Sequence, residues 1–143
     1  MTTLRAECRI AADPTSVALL LAGPTAVDMW PGSRREGETD GRLRVQAHIP
    51  ERGVHDILVT IDPPQRTPVA FVCRFVAEQP VLGLHVDGEL TLAYEGRDAT
   101  LASIVLEIST PLPSSPERLA IATEHAEAFL GNLARVAEAA AAA

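Results

Sequence analysis

The sequence predicts an α+β domain in which a curved antiparallel sheet of about six or seven strands wraps around one long C-terminal helix. Two observations lead to this prediction. The middle of the chain is a series of short segments in which apolar and polar residues alternate, separated by brief turns, as in an antiparallel meander. Residues 115–140 then change to the period of an amphipathic helix.

The first strand is predicted at residues 3–10, where apolar and polar side chains alternate without a break. Asp13 followed by Pro14 is a favourable helix start, because aspartate caps the first turn and proline fits the first helical position. Two short helices are therefore predicted after the first strand, within residues 14–32. The polar, glycine-containing segment 33–41 is predicted to be a loop.

Further strands are predicted from the same alternation, at residues 42–49, 54–62, 69–77, 81–95 and 99–109. In the segment 81–95, His85, Asp87 and Glu89 occupy every second position and suggest a metal site or an acid/base pair. The apolar residues of this segment keep one phase through Gly88, however, so these three side chains are expected on the outer, solvated face.

The long helix is predicted to begin at Ser115, which caps it, with Pro116 in the first helical position. Its apolar residues form one stripe at about 100° per residue, and these are Leu119, Ala122, Ala126, Phe129, Leu130, Leu133 and Ala137. His125 is expected at the border of this stripe, as a partly exposed residue. Residues 1–143 are interpreted as a single domain.

The composition excludes several classes of function. With 143 residues, 47% of them hydrophobic, the chain can bury a core of its own. A formal net charge of −7 disfavours nucleic acids and anionic membrane surfaces as partners. There is no apolar run of the ~18 residues that a membrane span needs, and no apolar core of a signal peptide, so a cytoplasmic protein is expected.

No cofactor and no metal is expected, because the sequence lacks a phosphate-binding loop, a dinucleotide fingerprint and any Cys/His spacing for zinc. Cys8 and Cys73 lie in separate predicted strands and are expected to be free thiols that pack as small hydrophobic groups. The oligomeric state stays open between a monomer and a homodimer.

Three segments resemble START-like domains, the SRPBCC superfamily that includes polyketide cyclase/dehydratase-type and lipid-transfer proteins. They are IAADPTSVALLLAGPTAVDMWPG (10–32), ILVTIDPPQRTPVAFVCRF (57–75) and HAEAFLGNLARVAEA (125–139). The resemblance implies a helix-grip fold with a deep cavity between the concave sheet and the long helix. It implies no catalytic residues, because the superfamily has no invariant catalytic set.

Strand parity and the helix stripe indicate which residues face this cavity. The candidate ligand-binding residues indicated in this way are His55, Phe71, Phe75, Tyr94, Thr100, Ala122, Ala126 and Phe129, and the resemblance adds Trp30, whose segment lies near the cavity mouth in this fold. Such an apolar set also fits a filled core, although its small residues favour an open cavity. His55 could instead occupy the rim, Tyr94 could anchor the edge of the core, and Trp30 could pack under a loop.

The function expected first is the binding of a small hydrophobic molecule, lipid- or polyketide-like, in this cavity. The alternative is a polyketide cyclase/dehydratase-type enzyme. That chemistry needs proton transfer inside the cavity, for which His55 and Tyr94 are the candidate catalytic residues. A weaker alternative is an interaction module that works through its outer surface, like the chaperone-ATPase-activator branch of the same superfamily.

Overall fold

The computed structural model of the protein describes residues 1–22, 24–49, 52–111, 113 and 115–143. Within them, one curved antiparallel sheet wraps around a long C-terminal helix, as the sequence predicts, although the sheet has eight strands rather than six or seven. The strands are β1 (Thr2–Ile10), β2 (Ser33–Thr39), β3 (Arg42–Ile49), β4 (Gly53–Ile61), β5 (Gln65–Arg66), β6 (Ala70–Gln79), β7 (Leu84–Tyr94) and β8 (Thr100–Ser109). The helices are α1 (Pro14–Leu21) and α2 (Pro116–Ala142), with 3₁₀ helices at Pro24–Met29 and Pro80–Leu82.

The sheet has the strand order β1-β8-β7-β6-β4-β3-β2, and the short β5 pairs with β6 beside this path. Every pair of neighbouring strands is antiparallel. β1 joins the far edge of the meander by pairing with β8, in a register that sets Leu4 opposite Leu106. The concave face therefore runs continuously from the first strand to the strands of the meander, and α2 lies across it.

Both α-helices begin where the sequence predicts. The carboxylate of Asp13 accepts a hydrogen bond from the Ser16 backbone N–H at 3.0 Å, and Pro14 follows in the first turn. The Ser115 hydroxyl likewise accepts from the Arg118 N–H at 3.1 Å. Each side-chain oxygen satisfies one of the N–H groups that a helix start leaves without an internal partner.

The prediction of a loop at residues 33–41 is wrong for most of that segment. Residues 33–39 form the edge strand β2, which pairs with β3, and only Asp40 and Gly41 form the turn, with φ of 53° and 76°. Almost all of β2 is exposed on both faces, so no apolar residue marks a core side and the alternation that reveals other strands is missing. A register shift between Arg35 and Gly37 interrupts the pattern further.

β7 begins later than predicted, at Leu84 rather than residue 81. The Gln79 side chain accepts a hydrogen bond from the Val81 N–H at 2.7 Å and starts the 3₁₀ helix Pro80–Leu82. Gly83 then reverses the chain with φ of 63°, a conformation that favours glycine. Leu82 therefore lies before the strand and not in its apolar phase.

The outward placement of the charged residues in β7 is confirmed. His85 Nε2 lies 3.2 Å from Asp87 Oδ2, and Glu89 forms an ion pair with Arg74 of β6 at 3.1 Å. Gly88 pairs with Phe75 and with Leu106 without any shift of register. The His-Asp-Glu series is therefore a solvated row on the convex face, and no group of three or more metal-ligating side chains occurs among the described residues.

Two connections between predicted elements fall partly outside the described residues. The connection between the predicted strands 42–49 and 54–62 includes Pro50 and Glu51, and the connection between the last strand and α2 includes Leu112 and Ser114.

Candidate functional site

The space between the sheet and α2 divides into a filled half and an open half. In the filled half, α1 and the C-terminal half of α2 cover the ends of β1 and β7 and the start of β8. Its side chains are completely or almost completely buried, and these are Ile10, Val17, Leu92, Thr100, Ile104, Leu130 and Leu133. These buried side chains form the hydrophobic core of the domain.

The open half is a cavity of about 550 Å³ under the N-terminal half of α2. Its sheet wall is formed by apolar side chains of β3, β4, β6, β7 and β8, among them Val45, Ile57, Val59, Ile61, Phe75, Ala77, Leu84, Val86, Leu106 and Ile108. Its helix wall is formed by the start of α2, with Ser115, Arg118, Leu119, Ala122, His125 and Phe129. The cavity thus extends under β3 and β4, beyond β6 and β7, which α1 contacts.

The contact between Phe75 and Gly88 shapes the sheet wall. Gly88 lies directly opposite Phe75 in the pairing of β6 with β7. A Cβ atom at residue 88 would overlap the ring atoms Cζ, Cε1 and Cε2 of Phe75. The missing side chain therefore lets the Phe75 ring lie flat on β7 and line the cavity instead of filling it.

Trp30 and Phe129 meet at one side of the cavity, with ring centroids 5.4 Å apart at an interplanar angle of 39°. The Ser33 hydroxyl fixes the backbone next to Trp30, because its oxygen lies within 2.7 Å of the carbonyls of Val27 and Trp30 and its one hydrogen is shared between these two acceptors. Asn132 of α2 donates to the Met29 carbonyl at 2.8 Å. These bonds hold the 3₁₀ helix Pro24–Met29 and Trp30 against the long helix.

Polar side chains at the cavity are few, and most of them have partners within the protein. The Arg118 guanidinium donates to the Pro113 carbonyl at 2.6 Å, next to the helix start. Arg74 also borders the cavity, but its side chain extends to Glu89 on the convex face. The imidazole of His125 lines the cavity and makes no hydrogen bond to any described residue.

Cys73 is a buried free thiol in the cavity wall. Burial raises the pKa of this thiol to about 11, because the thiolate would lose its hydration there. Cys73 therefore stays protonated at neutral pH and acts as a small apolar group rather than a nucleophile.

Four of the candidate ligand-binding residues lie together around this cavity, namely Trp30, Phe75, Ala122 and Phe129. They come from separate parts of the chain, and the wrapping of the sheet around α2 brings them together. The aromatic residues supply flat apolar surface, and Ala122 leaves space on the helix side.

The other candidates lie elsewhere. Tyr94 and Thr100 face each other where β7 ends and β8 begins, at the filled end of the sheet. The Thr100 hydroxyl donates to the Ala12 carbonyl at 2.7 Å, while Tyr94 is 42% exposed and its ring is 6.5 Å from that of Phe71. Ala126 is buried against the core.

His55, a candidate catalytic residue, lies near the outer end of β4, opposite Ala47 of β3. Its Nε2 lies 2.8 Å from the Arg52 carbonyl, within hydrogen-bonding distance. His55 is not among the described residues that line the cavity, although its strand neighbour Ile57 is.

Sequence reasoning missed His125 as a cavity residue. It lies three residues after Ala122 and four before Phe129, both of which belong to the predicted apolar stripe. Residues three and four apart share one helix face, so this spacing was a usable signal. When the stripe is defined by apolar residues alone, a polar residue on the same helix face, such as His125, is left out of it.

None of the helices in the described part of the chain has the length and apolar character that crossing a membrane requires.

Solved structures share this architecture over nearly the whole chain. A conserved protein from Geobacillus kaustophilus matches with a TM-score of 0.71 and 12% identity, over 95% of each chain. The Zhui aromatase/cyclase from a Streptomyces species matches with a TM-score of 0.69 and 16% identity, over 96% of this chain and 93% of that one. A START superfamily protein from Mycobacterium smegmatis matches with a TM-score of 0.64 and 17% identity, over 94% and 98%.

No protein-family model and no curated protein matches the sequence significantly. At these low identities, the structural matches identify the fold and leave the function to be argued from the site.

Proposed function

We propose that this chain, whose fold is the START-like helix-grip fold of the SRPBCC superfamily, binds a small hydrophobic molecule, lipid- or polyketide-like, between its sheet and α2. The observation that carries this proposal is the cavity of about 550 Å³ with its apolar walls. Pockets for small ligands typically have volumes of about 300–1,000 Å³ and apolar linings with a few polar groups.

The ligand contacts that we propose are Trp30 and Phe129 on one side, Phe75 on the sheet and Ala122 on the helix. Burying an apolar ligand there removes apolar surface from water on both partners, which is the main driving force for such binding. The rings of Trp30 and Phe129 already pack against each other, so they offer a preformed surface and lose little conformational freedom on binding.

The test is titration with N-phenyl-1-naphthylamine, a neutral dye whose fluorescence rises in apolar surroundings. We expect saturable binding by the wild-type protein. Ala122→Phe should abolish or strongly weaken it, because the new ring occupies the cavity. Ala120→Phe is the matched control, since Ala120 is an exposed residue of the same helix outside the lining. Failure of the dye to bind the folded wild-type protein, or equal binding by the two variants, would contradict the proposal.

The second candidate is catalysis of the cyclase/dehydratase type in the same cavity. The structural similarity to an aromatase/cyclase suggests this candidate. The observation that favours it is the imidazole of His125, which lines the cavity without a hydrogen bond to any described residue and belongs to the side-chain type most often used as an acid or base. If the chain turns over a polyketide-like substrate, His125→Ala should lower kcat more than His55→Ala or Tyr94→Phe. Equal losses in all three variants would argue against His125 as the acid or base.

A further inference from the structure

The cavity has a charge pattern opposite to that of the whole chain. The chain carries 19 acidic and 12 basic residues, yet no Asp or Glu occurs among the described residues that line the cavity. Arg118 and His125 are both part of its helix wall. Apolar walls with low dielectric strengthen the field of the Arg118 guanidinium, so the interior favours negative over positive charge.

Arg118, Ala122, His125 and Phe129 occupy one face of α2, because their spacings of four, three and four residues follow the helical repeat. Arg118 and His125 are therefore two turns apart, about 10 Å along the helix axis. Both lie on the side of the cavity opposite the apolar wall that contains Phe75 and Val86.

His125 differs from the other polar side chains of the helix wall in having unused hydrogen-bonding capacity. The Ser115 hydroxyl accepts from the Arg118 N–H and the Arg118 guanidinium donates to the Pro113 carbonyl. No described residue forms a hydrogen bond with the imidazole of His125. A ring N–H that lines a cavity between Ala122 and Phe129 is available to an acceptor atom of a ligand.

We propose that the ligand is an amphipathic acid, whose carboxylate or acidic phenol oxygen accepts a hydrogen bond from His125 while its apolar body lies on Phe75, Val86 and Phe129. This inference rests on the proposed function and specifies its ligand class. Arg118 adds positive potential on the same helix face. An apolar amine is disfavoured, because its ammonium group would be desolvated without a carboxylate in the described lining to pair with it.

The test compares three ligands with the same ten-carbon chain, decanoic acid, 1-decanol and decylamine, as competitors of N-phenyl-1-naphthylamine at pH 7.5. We expect decanoate to displace the dye at roughly tenfold lower concentration than 1-decanol, the gain typical of one hydrogen bond to a charged group. Decylamine should be the weakest competitor.

Four variants test which side chains cause the preference for decanoate over 1-decanol. His125→Phe keeps an aromatic ring without nitrogen and should bring decanoate and 1-decanol close to parity. His85→Phe, which removes an exposed histidine of the convex face, should leave the preference intact. Arg118→Met should lower the preference for decanoate over 1-decanol about threefold. Arg135→Met is its control, because it also removes one charge but lies on the exposed side of α2, and it should leave the preference unchanged.

The outcomes separate the two proposals. If the dye fails to bind the wild-type protein, the proposed binding function fails. If the dye binds but decanoate competes no better than 1-decanol, or decylamine competes best, the acidic ligand is overturned and hydrophobic binding stands. Retention of the full acid preference in folded His125→Phe would overturn the role of His125. Should that variant not fold by circular dichroism, His125→Leu replaces it, and the wild-type comparison still decides the ligand class.

Discussion

Gly88, through its contact with Phe75, determines the shape of the sheet wall of the cavity. The two residues are partners in the pairing of β6 with β7, and the Phe75 ring occupies the space that a side chain at residue 88 would need. Glycine weakens a strand, because it adds backbone entropy to the unfolded chain and packs nothing. Here that cost is offset by a close ring-to-backbone contact that keeps Phe75 out of the cavity volume.

Gly88→Ala should therefore force the Phe75 ring into the cavity and destabilise the protein by about 1–3 kcal/mol, the usual range for overpacking. The affinity for N-phenyl-1-naphthylamine should fall as well, because the displaced Phe75 ring occupies part of the cavity. Gly131→Ala is the matched control, because a Cβ there meets no atom within 4 Å and alanine should stabilise α2 by about 0.5–1 kcal/mol. Urea unfolding measures both free energies, and equal values for the two variants would refute the proposed contact.

Strand parity alone predicted the outward face of β7, whereas the spacing of His125 from Ala122 and Phe129 indicates a shared helix face without showing that this face borders a cavity. The outward row at His85, Asp87 and Glu89 follows from an alternation that depends only on the geometry of a strand. The placement of His125 depends on how α2 is rotated about its axis relative to the sheet, which is a property of the packed pair of elements. The residue types along α2 do not specify this rotation directly.

At the scale of single elements, the helix starts are local features that the chain specifies within a few residues. Asp13 accepts hydrogen bonds from the Ser16 N–H at 3.0 Å and from the Ser16 hydroxyl at 2.8 Å. These bonds, the backbone one above all, lower the pKa of the Asp13 carboxyl below its ordinary value of 3.8. α1 is short, so its cap matters for holding Val17 and Leu21 in the filled core.

Asp13→Ala should lower the free energy of unfolding at pH 7 by about 1 kcal/mol, the typical value of a lost helix cap. Because the carboxylate is favoured in the folded state, its charge-dependent contribution is present above about pH 3.8 and is lost as the pH falls through the lower folded pKa. Asp13→Asn keeps a cap oxygen that does not titrate, so it should stay close to wild type at pH 7. Urea unfolding at pH 7 and pH 3 tests this, and a deficit in Asp13→Ala that does not shrink at pH 3 would contradict it.

β2 is the element that sequence reasoning misplaced, and the cause is its position in the sheet. An edge strand that is exposed on both faces has no core side, so its side chains need not alternate. Its residues are instead charged, which also discourages pairing with another chain at the open edge. Its pairing with β3 is a long-range property that the polar sequence 33–39 does not reveal.

At the scale of the whole molecule, the helix grip combines a core that supplies stability with a cavity that leaves apolar surface unpacked. α1 covers only one part of the concave sheet, and side chains interdigitate closely there. Under the N-terminal half of α2 the same sheet continues without such a cover, and the cavity remains. The stability of the domain is therefore expected to come mainly from the filled half.

Leu133→Ala and Leu119→Ala test this division with the same substitution in one helix. Leu133 is completely buried in the filled half, so its truncation should cost about 2–5 kcal/mol. Leu119 is 37% exposed at the cavity, so its truncation should cost less than about 1 kcal/mol and mainly change dye affinity. Thermal and urea unfolding give the two costs. Similar losses of stability at both positions would show that the two halves contribute alike.

The sequence by itself determined the fold class, the start of both α-helices, the length of α2 and the outward row of β7, because local periodicity and capping chemistry encode each of them. Only the tertiary structure decided where the grip is filled and where it is open, and that Trp30, Phe75, Ala122 and Phe129 line one cavity with His125. The apolar residues of core and cavity look alike in sequence. What separates them is whether another element packs on the same part of the sheet, because α1 contacts β6 and β7 while the cavity extends under β3 and β4.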